Sequence, residues 1–464
     1  MLLNLLPPSV KKYFLMTRRE RKYEMQSTLW YMPLFYILLS SFMAGTTLFL
    51  DLYYDPSLYV PDVISISANA TQMLVSTLIG GILTLSAFTL NSLLVVLTTF
   101  SAQFSPRMLL NFVSDRRTQH ALGVFNGNFV YVLFVFLFIG STQHEQFVFV
   151  PLFTIGLAFS SAMTFVYFIN HATTWMQVHN ITDTMKENSR HLVKNTLGKE
   201  LEIYRTEEPG DLMKEHQRDR RFLTTSSNGY LQLVDYRAMI EEARRDDVIV
   251  RFHAQMGNFV LKGNRLLSVW GPGSADVDLE KYRKMIKIGH KEMELQDIQL
   301  GMHKLAELAV KAIGNNDPKT AINTVHQMGE LMISVTDYIT FTPYLNDKSK
   351  QVRIILFSET FESYLYKGFG FIRYYARKDH LLMTELIKTI SKIAESLHES
   401  KHSMLWDFCA DIFVHLEAED IYKLDRTFLL KAMQHLAEVT GEIDDYDRIE
   451  AAFLQKARGA ELRA

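Results

Sequence analysis

The sequence predicts an α-helical membrane protein with four transmembrane helices and a mainly α-helical cytosolic region that contains a small β-sandwich insert. Lys and Arg make up 49 of the 464 residues, yet neither occurs in residues 23–106 or in residues 118–185. Within these two gaps lie four apolar segments, each near or above the ~20 residues that an α-helix needs to cross a hydrocarbon core. The four segments are residues 29–50, 72–100, 122–140 and 147–169.

Basic residues flank the apolar segments on one side only. The first 28 residues carry six Lys or Arg, and the connection between the second and third segments carries Arg107, Arg116 and Arg117. Residues 51–71 and 141–146 carry none. By the positive-inside bias, both termini and the middle loop are expected in the cytoplasm, which predicts a multi-pass protein of a bacterial cytoplasmic membrane. The first segment begins too late and is too long for a cleaved signal peptide.

Charge and periodicity divide the chain into five predicted parts. The fourth span is expected to continue as one amphipathic helix to about residue 202, which would join membrane and cytosol mechanically. The single cysteine, Cys409, excludes an internal disulfide and a multi-thiolate metal site within one chain. The parts are a basic N-terminus (1–28), a transmembrane domain (29–170), a helical stalk and linker (171–221), a β-module (222–272) and an α-helical cytosolic domain (273–464).

The second span is unusually long and carries a polar stripe. Thr77, Thr84, Asn91 and Thr98 recur at a spacing of seven, and Gly80 lies beside them. A step of seven drifts only about 20° around an α-helix, so these side chains share one face. Two interpretations stay open. The stripe is either a helix-packing seam of small and polar residues, or, in a homo-oligomer, the lining of a neutral pore with Asn91 near its midplane.

A short motif follows at the cytoplasmic end of this span, formed by Gln103, Phe104, Ser105, Pro106 and Arg107. Proline removes a backbone donor and restricts the residue before it, so Pro106 is expected to end or kink the helix. Arg107 then falls at the level of the lipid headgroups. The motif is interpreted either as an inner gate or lipid-phosphate site, or as an ordinary helix end with an anchoring arginine.

Residues 101–112, 115–119 and 122–131 resemble a bacterial family of predicted membrane proteins known as domain of unknown function 2254. Residues 29–33 with Asp51 are similar to the family's first span. Residues 294–301 and 316–321 are similar to its cytosolic signature, whose members here are Asp297, Asn316, Asp317 and Pro318. The resemblance covers most of residues 29–330 and implies a four-span protein of the bacterial cytoplasmic membrane. It brings no catalytic residues.

The cytosolic region contains one predicted β-module followed by helices. Residues 228–234 and 248–269 are rich in β-branched and apolar residues with glycine at the turns. Their pattern is similar to the biotinyl and lipoyl carrier fold, but residues 270–275 lack the lysine that would carry a cofactor, so we expect a structural or docking module without a cofactor. Further helices are expected at residues 351–376, 380–400, 403–417, 426–439 and 443–457.

Two helices are predicted around the cytosolic signature. Apolar residues at 286, 293, 300 and 308 predict a long amphipathic helix that ends near Gly314. Asp317 followed by Pro318 predicts an N-cap and a first-turn proline for the next helix, which runs to about Tyr338. Asn316 and Asp317 also suit a cation or ligand site, but capping accounts for Asp317.

Catalysis is not expected. His398, Glu399 and His402 match the H-E-x-x-H pattern of zinc proteases. Lys401 places a positive charge between the two histidines, and the flanking Lys392 and Glu395 are typical of a solvent-exposed helix face. A metalloprotease is therefore a remote alternative. The sequence has no phosphate-binding glycine loop, nucleophile elbow or basic aromatic patch for nucleic acid. The leading hypothesis is a homo-oligomeric channel or transport-like protein in the lipid bilayer. The alternative is a membrane-anchored scaffold or sensor that acts through its cytosolic domain.

Overall fold

The computed structural model is mainly helical and divides into two compact units, Met1–Val178 and His179–Ala464. It describes residues 30–54, 61, 65–103, 115–140, 145–175, 177–197, 201–290, 292, 296–416 and 421–461.

The first unit contains four helices that are long and apolar enough to cross a membrane, as the sequence predicts. A π-helical turn, Leu50–Tyr54, extends the first helix, α1 (Tyr31–Phe49). A two-residue antiparallel pairing of β1 (Ile66–Ser67) with β2 (Gln146–Phe147) joins the connections at one end. At ~1.5 Å per residue, the 36 residues of α2 extend ~54 Å, which exceeds the ~30 Å hydrocarbon core. The helices are α1 (Tyr31–Phe49), α2 (Ala68–Gln103), α3 (Arg116–Ile139) and α4 (Phe149–Trp175).

Helix α3 is the most buried of the four apolar helices, and it contacts α1, α2 and α4. Glycines on α3 allow α1 to approach closely: a Cβ added at Gly127 would lie 2.7 Å from Ser40 Oγ and 3.0 Å from the Tyr36 carbonyl oxygen. Small residues at such crossings are a common basis of helix association in membranes. Polar links add to this packing, since Asn128 donates to Ser161 Oγ at 2.8 Å between α3 and α4.

The predicted continuous helix from the fourth span to residue 202 is not observed. Helix α4 ends at Trp175, α5 covers Val178–His191, a π-helical segment covers Leu192–Leu197 and Glu202–Tyr204 form a 3₁₀ turn, so the described residues do not form one α-helix to residue 202. Thr174 donates its hydroxyl to the Asn170 carbonyl at 2.8 Å.

The second unit contains two β-sheets that share one hydrophobic core. The larger is a mixed six-stranded sheet of order β3-β10-β11-β6-β8-β4, in which β6 and β11 are parallel; the smaller has the order β7-β5-β9. The strands are β3 (Arg205–Thr206), β4 (Arg221–Thr224), β5 (Gly229–Val234), β6 (Ile249–Phe252), β7 (Phe259–Val260), β8 (Arg265–Trp270), β9 (Ile286–Gly289), β10 (Tyr344–Asn346) and β11 (Val352–Ile355).

This strand order corrects the prediction of a β-module confined to residues 222–272. Four of the strands, β3, β9, β10 and β11, lie outside that range, so the strand order does not support a biotinyl- or lipoyl-like sandwich. The decisive pairing places Ile354 beside Val250. A parallel pairing between residues about a hundred positions apart is set by packing, which a local pattern does not record.

Two segments predicted as helix are strands. Ile286 to Gly289 pairs with β5 instead of starting a long helix, and Val352 to Ile355 occupies the interior of the six-stranded sheet. Both are short runs of β-branched residues that a pleated surface favours. The helix that was expected to include Ile286 begins only after Asp297.

Apart from these two segments, the helices predicted from the cytosolic signature to the C-terminus are present, whereas the helix Tyr236–Arg245 lies inside the predicted β-module and was not predicted. Helix α8 ends at Gly314 and α9 runs from Pro318 to Tyr338, as predicted. The helices are α6 (Tyr236–Arg245), α7 (Leu279–Lys284), α8 (Ile298–Gly314), α9 (Pro318–Tyr338), α10 (Phe361–Leu365), α11 (Phe371–Tyr375), α12 (His380–Ser396), α13 (His402–His415), α14 (Lys423–Thr440) and α15 (Ile443–Glu461).

Candidate functional site

The polar stripe of α2 points away from the rest of the membrane unit. Four of the buried positions of this helix also recur at a spacing of seven, Val75, Ile82, Thr89 and Val96, and the buried Thr71 and Leu93 lie on the same side. The stripe positions follow these four by two residues, which is about 200° around an α-helix. Accordingly, the exposed side of α2 carries Thr77, Gly80, Thr84, Asn91 and Thr98.

The stripe makes its polar contacts on its own helix. The Thr84 hydroxyl donates to the Gly80 carbonyl at 2.8 Å, and Thr77 donates to the Met73 carbonyl at 2.8 Å. A Cβ at Gly80 would have no neighbour within 4 Å. Within the part of the chain that the structure describes, Asn91 has no side-chain hydrogen bond. The stripe is therefore not a packing seam among the described helices of a single chain, and it is available to lipid, water or another copy.

The inner-mouth motif lies largely outside the described residues. Gln103 is the last residue of α2, and its side chain is not described. Phe104, Ser105, Pro106 and Arg107 fall in the undescribed range that follows.

A hydrogen-bonded histidine–aspartate pair that the sequence did not reveal lies near this end of the unit. His171 Nε2 on α4 is 2.6 Å from Asp115 Oδ2, which occupies the N-cap position of α3. His171 is 6 % exposed, and its ring is parallel to that of Tyr167. No role is predicted for His171 from the sequence. Its partner is 56 residues away, and no short-range signal connects the two.

A second buried carboxylate organises the opposite end of α4. Asp51 is 1 % exposed, and its two oxygens accept hydrogen bonds from the backbone N–H groups of Val148, Phe149 and Val150 at 3.3, 2.9 and 2.8 Å. These donors begin α4, where the unpaired N–H groups and the helix dipole favour a negative charge. Asp51 thus caps a helix that lies 97 or more residues further along the chain.

In the second unit, the predicted signature residue Asp297 lies in a buried polar cluster. It caps α8, because its carboxylate accepts from the Leu300 N–H at 3.2 Å. Burial, reinforced by the charge of Glu359, raises the pKa of Asp297 to about 7, although the Leu300 N–H and Lys367 act in the opposite direction. The close approach depends on Gly257, whose φ is +80° and whose added Cβ would overlap the Asp297 carboxylate.

Glu359 connects Asp297 to further polar side chains. It accepts hydrogen bonds from Gln255 at 3.0 Å and from the Tyr364 hydroxyl at 2.7 Å. Burial and the charge of Glu359 raise the pKa of Tyr364 well above its ordinary value. The cavity beside them, about 40 Å³, is close to the ~30 Å³ that one water occupies in the liquid. The cluster is thus a buried titratable centre that leaves little room for a ligand.

The other signature residues serve as a helix cap. Asp317 accepts from the Thr320 N–H at 3.1 Å, Pro318 occupies the first turn of α9, and Asn316 adopts a left-handed φ of 57°. This confirms the predicted capping role of Asp317. Across the described residues, no group of three His, Cys, Asp or Glu side chains is placed to hold a metal ion.

The H-E-x-x-H match does not have the geometry of a zinc protease. His398 has an extended backbone and caps a short 3₁₀ turn, whereas His402 begins α13. His402 Nε2 lies 3.0 Å from the Ala394 carbonyl oxygen. Zinc proteases present both histidines from one face of one helix, one turn apart.

These features define the class of protein: a multi-span membrane protein whose first unit holds the four apolar helices and whose second unit is a mixed helical and β-sheet body. The chain belongs to the family of predicted membrane proteins known as DUF2254, whose model matches residues 26–392. This confirms the resemblance found in the sequence.

Curated relatives in mycobacteria are similar to this chain over most of its length. They include the uncharacterized proteins Rv1290c of Mycobacterium tuberculosis and Mb1321c of Mycobacterium bovis. Each is 25% identical over 355 residues, which cover 73% of this chain and 67% of the relative. No solved structure matches.

Proposed function

We propose that this protein is a homo-oligomeric channel or transport-like protein in which copies of α2 surround a polar path. The observation that carries the proposal is the position of the stripe, about 200° from the face that α2 buries in its own unit. Polar residues within membrane spans tend to face a bundle interior or a water-filled cavity. Several copies arranged around an axis would give Thr84 and Asn91 such an environment.

The proposed path is neutral. Its residues are threonine, asparagine and glycine, so it has no ring of acids or bases to select the charge of a solute. We place the protein in a bacterial cytoplasmic membrane with both termini in the cytoplasm, on the basis of its Lys and Arg distribution. The proposal involves the lipid bilayer and further copies of the chain as partners, and no enzyme activity, cofactor or nucleic acid.

Cysteine labelling at position 91 tests the path. The single native cysteine, Cys409, is fully buried and burial raises the pKa of its thiol, so the wild-type chain is an unlabelled background. Asn91→Cys in liposomes is expected to react with a membrane-impermeant thiol reagent. Leu90→Cys is the matched control, because this exposed residue lies at nearly the same depth but about 100° around the helix.

Solute flux and oligomer mass complete the test. Before labelling, both reconstituted variants are expected to conduct small ions or uncharged solutes as the wild type does. The thiol reagent is expected to reduce this flux through Asn91→Cys and to leave the flux through Leu90→Cys unchanged. A particle mass of several chains is expected in mild detergent. A monomer, or absence of both labelling and flux, would end the channel proposal, since one α2 per particle does not enclose a path.

The buried cluster around Asp297 favours the second candidate, a membrane-anchored sensor that acts through its cytosolic unit. A carboxyl group with a pKa of about 7 changes its charge within the physiological pH range. Under this alternative, α2 packs against lipid or another copy without enclosing water. The same labelling experiment separates the two candidates, because a sensor predicts an unreactive Asn91→Cys and no flux.

A further inference from the structure

The second unit carries a concave groove of about 440 Å³ that none of the features above uses. It lies between α11 with the preceding turn, Tyr366–Gly370, and the C-terminal part of α13. Four aromatic residues line it and are nonetheless solvent-exposed. They are Tyr366, Phe371, Tyr374 and Tyr375, with exposures of 63, 43, 61 and 55%.

Aromatic rings that are exposed to water in a groove gain the favourable free energy of burial only when a ligand covers them. A volume of about 440 Å³ is within the range of ~300 to 1,000 Å³ typical of small-molecule sites. Protein partners generally need a broader surface, ~800 Å² on each side. The shape therefore favours a small molecule with an apolar, planar body.

The charged side chains of the groove indicate the sign of the charge that the ligand carries. The Arg373 guanidinium is already engaged: it donates to the Phe408 carbonyl at 2.9 Å and lies 3.5 Å from Asp411 Oδ2. Arg377 differs. It is exposed, its guanidinium carbon lies 5.2 Å from the centroid of the Tyr374 ring, and no carboxylate of the described part of the chain pairs with it.

A second polar group lines the opposite wall. His415 Nδ1 lies 2.9 Å from the Asp411 carbonyl oxygen, so the ring donates from this nitrogen. Its Nε2 then remains as the ring nitrogen with capacity for a ligand, and His415 lines the groove. The groove thus combines a stacked arginine–tyrosine pair with one further hydrogen-bonding group.

We propose that this groove binds a planar aromatic anion. The aromatic body packs among the tyrosine rings, and its acidic group pairs with the Arg377 guanidinium, which Tyr374 holds in place. Stacking of the guanidinium on an aromatic ring orients its planar fork for an oxyanion. This site is independent of the path along α2.

Naphthalene-1-sulfonate is a suitable probe, because naphthalene-1-sulfonamide has the same rings and nearly the same shape without the charge. Equilibrium dialysis with the full-length protein in nanodiscs of zwitterionic lipid, corrected with empty nanodiscs, measures both. We expect saturable binding, with the sulfonate bound about three- to fivefold more tightly than the sulfonamide, as expected for an exposed charge pair, because stacking is common to both probes.

Arg377→Gln is expected to remove the preference for the sulfonate and leave sulfonamide binding nearly unchanged. Lys378→Gln is the matched control, since it removes the same charge from the adjacent exposed residue, which does not line the groove. It is expected to keep the preference. Tyr374→Leu is expected to weaken both probes, and unchanged thermal unfolding of the three variants would show that each is folded.

Three results would overturn the proposal. The first is absence of saturable binding of the sulfonate to the wild-type protein. The second is equal affinity for sulfonate and sulfonamide. The third is an equal loss of preference in Arg377→Gln and Lys378→Gln, which would indicate a general attraction of anions to the basic surface instead of a site at Arg377.

Discussion

Replacement of Asp297 by Asn is expected to stabilise the second unit at neutral pH and to change the pH dependence of its stability. Asparagine is about as good an N-cap as aspartate, so the hydrogen bond to the Leu300 N–H is retained. The variant removes the ionisable group whose pKa burial raises to about 7. The change therefore isolates the effect of ionisation from that of helix capping.

The direction of the pH effect on stability follows from the difference between the pKa of Asp297 in the folded and in the unfolded protein. A carboxyl group whose pKa is higher in the folded than in the unfolded protein favours folding when protonated, so it imposes no penalty below the unfolded pKa of about 4. The penalty grows between pH 4 and pH 7 and is constant above. A shift of about 3 pKa units corresponds to about 4 kcal/mol at pH 8, and to about 1.6 kcal/mol at pH 5. The stabilisation of Asp297→Asn is thus expected to be about 2.5 kcal/mol larger at pH 8 than at pH 5.

Intrinsic fluorescence during thermal unfolding in mild detergent measures this difference, because Trp270 and Trp406 are both buried in the second unit. Asp317→Asn is the matched control: it makes the same change at the N-cap of α9, whose carboxylate accepts from the Thr320 N–H. A variant whose unfolding temperature follows pH as the wild type does, or one that is less stable than the wild type at pH 8, would refute the reasoning.

Three further outcomes are expected. Asp51→Ala should lower the stability of the membrane unit by about 2 to 4 kcal/mol in a detergent unfolding assay, because three N–H groups at the start of α4 lose their acceptor; a loss no larger than that of Ser41→Ala would contradict this. Gly127→Val should separate α1 from α3, measured as proteolysis at lower temperature, whereas Gly156→Val, with open space at its Cβ, should not. Asp317→Ala should cost about 1 kcal/mol by loss of the cap on α9, and Asp317→Asn should restore most of it.

Local chemistry accounts for what was predicted correctly. The four spans follow from uninterrupted apolar length, and the cap at Asp317 with Pro318 follows from the residue types preferred at a helix start. Each signal is contained in a short stretch of chain. The polar stripe of α2 was also visible in the sequence, but the direction in which it faces was not, because that depends on which side of α2 packs against α3 and α4.

The errors have a common cause. Ile286 and Val352 were assigned to helices on their apolar spacing, yet both belong to strands that pair with distant segments, Ile286 with β5 and the strand of Val352 with β6. Short apolar runs suit either structure, and the available strand partner decides between them. The hydrogen bond between His171 and Asp115 was missed for the same reason, since its partners are separated by 56 residues.

The sequence by itself determined that this chain has four segments long and apolar enough to cross a membrane and that it belongs to its family, because hydropathy, charge exclusion and short motifs are properties of contiguous residues. Only the tertiary structure decided which carboxylates are buried, which strands pair and which face of α2 is left uncovered. Those outcomes depend on packing between residues far apart in the chain: Asp51 meets α4, Asp297 meets Glu359, and Val250 meets Ile354. The burial that raises the pKa of Asp297 exists only after these contacts have formed.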